Sequence, residues 1–431
     1  MAGLRAALRQ WSPLRRLVVG ALLIGAVFTL FQAADYRQNT PSNDTYQYAR
    51  QTLLLLGNSH ASAVHGATAM YCHDAAASTV RSAEMDDGST GSASTAVVRT
   101  GYAACMDIYR NGLTPSSPRY LAIFTSRPGY PLLAAPFAEV FGLRLGMWLA
   151  AMLCTLGAGA LVIVLLRSAG AAVAAALGGQ AVYLAAPTGY WGSRMLTDGP
   201  ALAATLLTLL GAWWLVQQRL RRGAVLMVAG LVAGFLFRYS TETMVAAALF
   251  VGALVCFRFA PGARHRGTIR LAVLAGGGAV VSQLVTTALG WPGIVESMQD
   301  TFTKHFLRPN VSDPVGRLAV LNLRFWAYYP VLEPTSLLLV LGLVVVGVAL
   351  WRRNRAFAAL VVVTSATGVG TVVAHPLASQ ADRLMVAVWL LIVLGTPLVA
   401  PWPRNPSEGG LADESADARD VGRGARLART A

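Results

Sequence analysis

Long apolar runs are the feature that most constrains how this chain folds. Stretches of about 15 to 22 mostly apolar residues recur from residue 17 almost to residue 400. Such a run, when helical, spans the hydrocarbon layer of a bilayer, which is about 30 Å thick. Charged residues make up only 13% of the chain, against about 25% in soluble proteins. The sequence therefore excludes an ordinary soluble enzyme and predicts an all-α polytopic membrane protein.

The runs predict about ten transmembrane helices within a membrane domain formed by residues 1–400. Several runs are short, so tilting or local thinning of the bilayer is expected. The first follows a basic start, and we interpret it as a retained helix because no clear signal-peptide cleavage site follows it. The predicted spans are residues 17–33, 145–166, 171–186, 200–216, 224–237, 243–257, 271–289, 335–351, 356–374 and 384–400.

The arginines predict how these helices are oriented. With both termini in the cytoplasm, 20 of the 35 basic residues fall in the amino-terminal segment, the short loops on that side and residues 401–431. Cytoplasmic loops normally carry such an excess, so the net charge of +15 follows from topology and does not indicate nucleic-acid binding. Residues 401–431 are predicted to be a disordered cytoplasmic tail. Abundant Arg, Ala and Gly favour a GC-rich bacterial genome, and hence a bacterial cell membrane.

Two outer segments, residues 34–144 and 290–334, are too long to be plain connections. Loops on a rigid scaffold often carry chemistry, although a receptor surface is an alternative. Residues 74–103 are rich in Ala, Ser, Thr and Gly, and we interpret them as a flexible insertion. Cys72 and Cys105 flank this stretch on the outer side, where an oxidising compartment allows a disulfide.

Asp44 opens a predicted helix over residues 44–54 that lies at the membrane interface. Tyr46 and Tyr48 would anchor this helix, since aromatic residues favour the headgroup layer. Capping of the helix is a sufficient explanation for Asp44, and a role facing the bundle is the alternative.

Several arginines mark the outer ends of the spans. Ionisable groups at membrane depth are functional candidates, and the arginine fork suits phosphate. Asp198 precedes Pro200, so capping of the next helix is one explanation for it. His375 lies on the same side. Snorkelling and pairing with a nearby acid are the alternatives for each arginine. The four that would converge on one anion are Arg127, Arg194, Arg238 and Arg383.

Four pieces, in this order, resemble the integral-membrane glycosyltransferases of the type-C fold (GT-C), which use polyprenyl-phosphate sugars. The resemblance covers about residues 15 to 400. The pieces are Asp44-x-x-x-Tyr48, Arg127-Pro-Gly-Tyr-Pro-Leu-Leu133, Gly230-Leu-Val-Ala-Gly-Phe-Leu-Phe-Arg238 and His375-Pro376 leading to Asp382-Arg383-Leu384.

The resemblance implies a hexosyl- or pentosyltransferase that moves a sugar from a polyprenyl-phosphate donor to a lipid- or glycan-linked acceptor of the cell envelope. Asp44 would be the general base of an inverting transfer. The lipid phosphate would be bound by Arg127, Arg238 and Arg383. Asp198 and His375 would contact the acceptor or a divalent metal ion, which is a candidate cofactor. The family often has a paired Asp-Glu at the first-loop site, whereas Asn43 precedes Asp44 here.

Two other classes of protein fit ten spans with polar outer ends. One is a transporter or lipid flippase, although these often have two matched halves and no such symmetry is visible. The other is a non-catalytic membrane protein of envelope assembly. The sequence does not distinguish the donor sugar, the acceptor or the oligomeric state.

The predicted orientation can be tested by labelling introduced cysteines in intact cells. A membrane-impermeant maleimide should label Ser89→Cys directly, because residues 34–144 are expected outside. Arg221→Cys should react only after permeabilisation. The opposite pattern would show that the orientation is reversed.

Overall fold

The computed structural model describes residues 12–36, 42–87 and 93–400, and all regular secondary structure in these ranges is helical. The predicted tail at residues 401–431 lies outside the described residues. Short 3-10 helices occupy Pro261–Ala263, Ala378–Gln380 and Val386–Val388. The α-helices are α1 (Pro13–Tyr36), α2 (Asn43–Leu55), α3 (His60–Asp87), α4 (Ala93–Ile108), α5 (Pro118–Thr125), α6 (Gly129–Phe141), α7 (Leu143–Ser168), α8 (Val173–Ala185), α9 (Pro187–Gly192), α10 (Asp198–Val216), α11 (Leu220–Phe259), α12 (Arg266–Ala288), α13 (Ile294–Phe302), α14 (Pro314–Leu332), α15 (Thr335–Arg353), α16 (Arg355–Ala374), α17 (Ala381–Leu384) and α18 (Trp389–Val399).

Eight helical stretches in the described residues are long and apolar enough to cross a membrane. The multi-pass helical architecture predicted from the sequence is therefore confirmed. The predicted span at 171–186 corresponds to α8, which is apolar but shorter, and the spans at 224–237 and 243–257 both fall within α11. The eight stretches are Pro13–Ala34, Leu143–Ser168, Asp198–Val216, Leu220–Phe259, Arg266–Ala288, Thr335–Arg353, Arg355–Ala374 and Ala378–Val399.

Helix α11 is folded back on itself at Arg238. Its 40 residues would form a straight rod of about 60 Å, but the backbone of Arg238 is not helical, with φ −162° and ψ 74°. A Cβ atom on Gly234 would meet the side chain of Glu242, and one on Gly278 of α12 would meet both Leu231 and Ala246. Gly234 and Glu242 lie four residues before and after residue 238, and Leu231 and Ala246 lie seven and eight residues from it. Such pairs can approach each other only if the two halves of α11 run antiparallel. Arg238 therefore stands at a turn, at one end of the bundle.

Helix α10 forms the centre of the bundle, because it is the most buried of the eight membrane-spanning stretches. Small residues let α11 approach it closely. A Cβ atom on Gly211 would lie 2.3 Å from the backbone nitrogen of Met227, so only glycine fits there. Close backbone approach through glycine is typical of helix packing in membranes. The packing holds Asp198, the first residue of α10, beside the turn of α11.

The opposite end of the bundle gathers the arginine-rich connections. Gln217 donates a hydrogen bond of 2.6 Å to the carbonyl of Ser168. Arg355 likewise donates one of 3.4 Å to the carbonyl of Phe259. Since α10 runs from Asp198 to Val216, these connections lie at the far end from Asp198. The two ends of the bundle therefore differ in both charge and shape.

The first long segment is more ordered than the sequence predicted. The interpretation of residues 74–103 as a flexible insertion is wrong for residues 74–87 and 93–103, which belong to α3 and α4. Alanine is the strongest helix former, and small side chains let the two helices lie close. Cys72 and Cys105 are joined by a disulfide with 5.5 Å between their Cα atoms. Asp74 is 2% exposed and pairs with Arg144 at 2.7 Å, which fixes α3 to α7.

Helix α2 matches the helix predicted over residues 44–54, but its environment differs. Tyr46 and Tyr48 are 2% and 0% exposed, so their predicted role as anchors in the lipid headgroups is wrong. The Tyr48 ring packs edge-on against Phe124 and Tyr130, with 5.6 Å between ring centroids in both pairs. The short helices α5 and α6 supply these rings, so Tyr48 is buried by protein.

The close packing of α10 and α11 predicts an unequal response to two glycine substitutions. Gly211→Ala should lower the thermal unfolding midpoint of the purified protein in detergent, because the new methyl group would overlap the backbone of Met227. Gly277→Ala is the matched control, since a Cβ atom there meets nothing within 4 Å. Equal midpoints for the two variants would contradict the packing described here.

Candidate functional site

A cavity of about 330 Å³ lies at the end of the bundle that carries Asp198 and the turn of α11. Helix α2 and the chain before α6 form one wall, the turn of α11 and the end of α12 another, and the chain after α16 a third. The second long segment, through α13 and the chain after it, covers the cavity. Its lining includes Asp44, Arg127, Arg238 and Arg383. Four residues that lie far apart in the sequence thus meet in one place.

Asp198 lies outside the cavity lining and forms ion pairs with two of these arginines. Its Oδ1 accepts a hydrogen bond of 3.1 Å from Nη1 of Arg238, and its Oδ2 accepts one of 2.9 Å from Nε of Arg383. The Asp198 side chain is 0% exposed and does not line the cavity. The interpretation of Asp198 as a cap is therefore wrong, because the N-cap of α10 is Thr197. Both oxygens of Asp198 are occupied, so in this structure it positions guanidinium groups.

Asp44 lies on the cavity side of the same cluster. The N-cap of α2 is Ser42, whose hydroxyl accepts from the amide of Thr45 at 3.1 Å. The capping interpretation of Asp44 is therefore wrong. Its Oδ2 instead accepts a 2.7 Å hydrogen bond from Nη1 of Arg383. The carboxylate remains 27% exposed, so an incoming molecule can reach it.

The charge of Asp44 is stabilised by its surroundings. Burial opposes ionisation, but the guanidinium of Arg383, helped by Arg127 and Arg238, holds the pKa of the Asp44 carboxyl below its usual value. Asp44 is therefore ionised at neutral pH. A carboxylate pinned by a guanidinium is a weak base, and it becomes a stronger one when that guanidinium finds another partner.

Arg127 has no acidic partner at hydrogen-bonding distance among the described residues. The Tyr48 hydroxyl lies beside its guanidinium, and Asp44 acts on it from a greater distance. The Nε atom of Arg127 is buried without a hydrogen-bond partner. Three arginines thus face two carboxylates, Asp44 and Asp198, which leaves one positive charge uncompensated. The predicted convergence is present for these three arginines. Arg194 lies elsewhere, with its guanidinium 4.2 Å from the ring centroid of Tyr190.

Residues 290–334, the covering segment, form hydrogen bonds with two other parts of the structure. Arg119 of α5 donates hydrogen bonds of 2.7 and 3.1 Å to Glu296 and one of 2.8 Å to Asn310. Thr301 Oγ1 lies 2.6 Å from Nδ1 of His375, which also lines the cavity. Residues 290–334 therefore bridge the first long segment and the link after α16.

The covering segment brings an acid and a histidine that the sequence alone did not single out. Asp300 and His305 both line the cavity, with 3.0 Å between Asp300 Oδ1 and His305 Nδ1. The His305 ring lies 4.9 Å from the ring of Tyr120, whose hydroxyl accepts from Asn43. Burial raises the pKa of Tyr120, and the carboxylates of Asp44 and Asp300 raise it further. Tyr120 therefore stays neutral between the two acids.

The backbone that presents His305 is strained. Lys304, His305 and Phe306 have φ values of 50°, 61° and 62°. The left-handed conformation costs about 1–2 kcal/mol for each residue with a side chain. Surrounding hydrogen bonds hold it in place, among them one of 2.9 Å from the Phe306 amide to Thr303 Oγ1. Strain of this kind gathers at functional sites.

The pKa values of the two cavity histidines, His375 and His305, are shifted in opposite directions. Burial lowers the pKa of His375, so its imidazole is neutral at neutral pH. The hydrogen bond that Asp300 accepts from His305 raises the pKa of His305. In the described residues no group of three or more His, Cys, Asp or Glu side chains is arranged to hold a metal ion. The role of His375 and Asp198 toward a divalent metal stays a prediction.

Comparisons with protein-family models, with curated proteins and with solved structures found no match to this chain. The function is therefore inferred from the chemistry of the cavity.

The sequence did not reveal Asp300 and His305 because their pairing depends on an irregular turn and not on a regular helical spacing. They lie five residues apart, and only the left-handed turn brings their side chains together. The one available signal was the sequence Lys304-His305 within an otherwise Arg-rich chain, in a loop already assigned to the outer side.

Asp198 and Asp44 are predicted to differ in their effect on stability. Asp198→Ala leaves two buried guanidinium groups short of a partner, and breaking such a pair typically costs about 3–5 kcal/mol. Asp44→Ala should cost less, because Asp44 is partly exposed and Arg383 keeps Asp198. The thermal unfolding midpoint should fall clearly further for Asp198→Ala. A larger fall for Asp44→Ala would contradict the positioning role of Asp198.

Proposed function

We propose that this protein is a membrane glycosyltransferase that moves a sugar from a polyprenyl-phosphate donor to a hydroxyl acceptor at the end of the bundle carrying the cavity. The observation that carries the proposal is the cluster of three arginines around one accessible carboxylate. A cation cluster suits the phosphate, and an ionised Asp44 suits the acceptor hydroxyl.

The formal charge of the cluster matches the donor. A polyprenyl-phosphate sugar is a phosphodiester with one negative charge, and the cluster has one uncompensated positive charge. Negative charge grows on the leaving phosphate oxygen during transfer, and fixed guanidinium groups stabilise that charge without reorganising. Asp198 supports this by holding Arg238 and Arg383 in place before the donor arrives.

The donor would also activate the base. In the structure Arg383 bonds Asp44, and a phosphate that takes over Arg383 frees this carboxylate. Asp44 then accepts the proton of the acceptor hydroxyl as its oxygen attacks the anomeric carbon. The bond from that carbon to the phosphate oxygen breaks, and its electron pair leaves on the phosphate. Attack on the face opposite the phosphate inverts the anomeric configuration.

The distribution of charge supports an outward-facing cavity. The arginine-rich connections lie at the other end, where the positive-inside rule expects the cytoplasm. If the two halves of α11 and helix α8 each cross the membrane, the chain would have ten crossings with both termini in the cytoplasm. A cavity on the outer face of a bacterial cell membrane would receive lipid-linked donors and envelope acceptors.

Substitutions can distinguish the role of Asp44 as base from the role of the arginines in phosphate binding. Purified protein should bind methyl farnesyl phosphate, a short phosphodiester, in detergent. Asp44→Asn should keep this binding and lose transfer from polyprenyl-phosphate sugars by about a hundred- to ten-thousand-fold. Arg238→Ala should instead weaken binding. Titration of the probe by thermal shift, and transfer of a radiolabelled sugar, measure the two effects.

Matched controls lie outside the cavity. Asp313→Asn changes an exposed carboxylate that caps α14, and Arg194→Ala removes an arginine that stacks on Tyr190. Both variants should bind and transfer like the wild type. Near-normal transfer by Asp44→Asn would refute the assignment of the base. Binding without any transfer, together with movement of the probe across vesicles, would favour a lipid flippase.

A further inference from the structure

His305 lines the cavity, but the proposed sugar transfer by Asp44 and the three arginines does not use it. Its Nδ1 atom faces a carboxylate oxygen of Asp300 at 3.0 Å. Because a carboxylate only accepts hydrogen bonds, Nδ1 carries the proton in this pair. The Nε2 atom makes no hydrogen bond within the described residues, so it remains available to a ligand. The ring is also in van der Waals reach of Tyr120, which fixes its plane.

The segment around His305 is built to hold this side chain. Asp300 is 8% exposed, and its carbonyl accepts a hydrogen bond of 3.1 Å from the amide of His305. The side chain of Gln299 bonds both backbone groups of Val311, at 2.9 and 3.0 Å. The left-handed turn at residues 304–306 is therefore closed from both sides. A strained turn that is held this firmly and faces a cavity is unlike an incidental surface loop.

We propose that His305 is a further catalytic residue of this site, whose Nε2–H contacts the phosphate oxygen that becomes anionic when the sugar leaves. Asp300 positions the imidazole and keeps its charge. This proposal rests on the proposed function, because it names a group for the same phosphate.

The phosphate gains negative charge during the reaction, and this gain explains why the site needs another hydrogen-bond donor. The donor phosphodiester carries one negative charge throughout the physiological range, whereas the phosphate monoester that leaves carries about 1.5 to 2. The arginine cluster compensates one charge. A protonated imidazole adds a hydrogen-bond donor for the oxygen where the extra charge appears. Contacts that strengthen along the reaction are those that accelerate it.

The ionisable neighbours of His305 allow it to be charged near neutral pH. Asp300 faces it from α13 and Asp44 from α2, and both favour the imidazolium. Tyr120 of α5 is neutral, and so is His375 on the link after α16. The pKa of His305 is raised, so the contact should be present in acidic to neutral solution and disappear as the pH rises through that pKa.

The test compares two probes on the purified full-length protein in detergent. Farnesyl phosphate is a monoester that represents the leaving product, and methyl farnesyl phosphate is a diester that represents the donor. At pH 6.5, His305→Gln should weaken binding of the monoester by roughly ten- to a hundredfold, as expected for a hydrogen bond to a charged group. Binding of the diester should change by less than about threefold, because its ester oxygen carries no full charge.

The pH profile separates a direct contact from a structural role. Above the pKa of His305 the wild type and His305→Gln should bind the monoester equally. Asp300→Asn keeps the imidazole but removes the group that raises its pKa, so the wild-type advantage should end at a lower pH. Lys304→Gln is the matched control in the same turn, since Lys304 is exposed and does not line the cavity. It should bind both probes like the wild type.

Three results would overturn the proposal. Equal loss of both probes in His305→Gln would mean that the residue only holds the covering segment. Wild-type affinity of His305→Gln for the monoester at pH 6.5, with both probes lost in Arg238→Ala, would leave the arginine site standing without His305. Failure of the wild type to bind either probe would remove the donor site itself, and this proposal with it.

Discussion

The double ion pair of Asp198 is the interaction on which the site depends. Charges at membrane depth are costly unless they are paired, and one buried carboxylate here satisfies two guanidinium groups at 2.9 and 3.1 Å. The arginines come from the turn of α11 and from the chain after α16, so the pair also fixes these elements against α10. A buried ion pair contributes little net stability on its own. Its effect is to select one arrangement of the helix ends, in which the arginine forks stand around the cavity.

That arrangement leaves the cavity polar at a defined place. Behind the arginines the bundle is closely packed, and in front of them residues of two long segments line the cavity. Electrostatic interactions are stronger in such surroundings than in water. Arg383 bonds Asp44 in the structure, and in the proposed reaction the phosphate takes over that guanidinium and releases the carboxylate. Such a site would couple the arrival of a phosphate to the basicity of a carboxylate.

The covering segment also contributes ionisable side chains to the cavity. Its strained turn places His305 against Asp300 and Tyr120. Arg119 and Thr301 join the same segment to the first long segment and to His375.

The helical class, the position of most spans and the shared side of Asp44, Arg127, Arg238 and Arg383 follow from the sequence. These are consequences of hydropathy and charge, which act residue by residue and along a single helix. The partners of each charge are decided only by tertiary structure. Capping was a sufficient local explanation for Asp44 and Asp198, yet both carboxylates turn toward arginines up to 339 residues away. Tyr46 and Tyr48 have the amphipathic rings of interface anchors but are buried, and rings of α5 and α6 pack against Tyr48. The order of residues 74–87 and 93–103 depends on a disulfide and on a buried ion pair with Arg144. Local patterns cannot specify such contacts, since a buried charge takes whichever partner the packing of the helices brings within hydrogen-bonding distance.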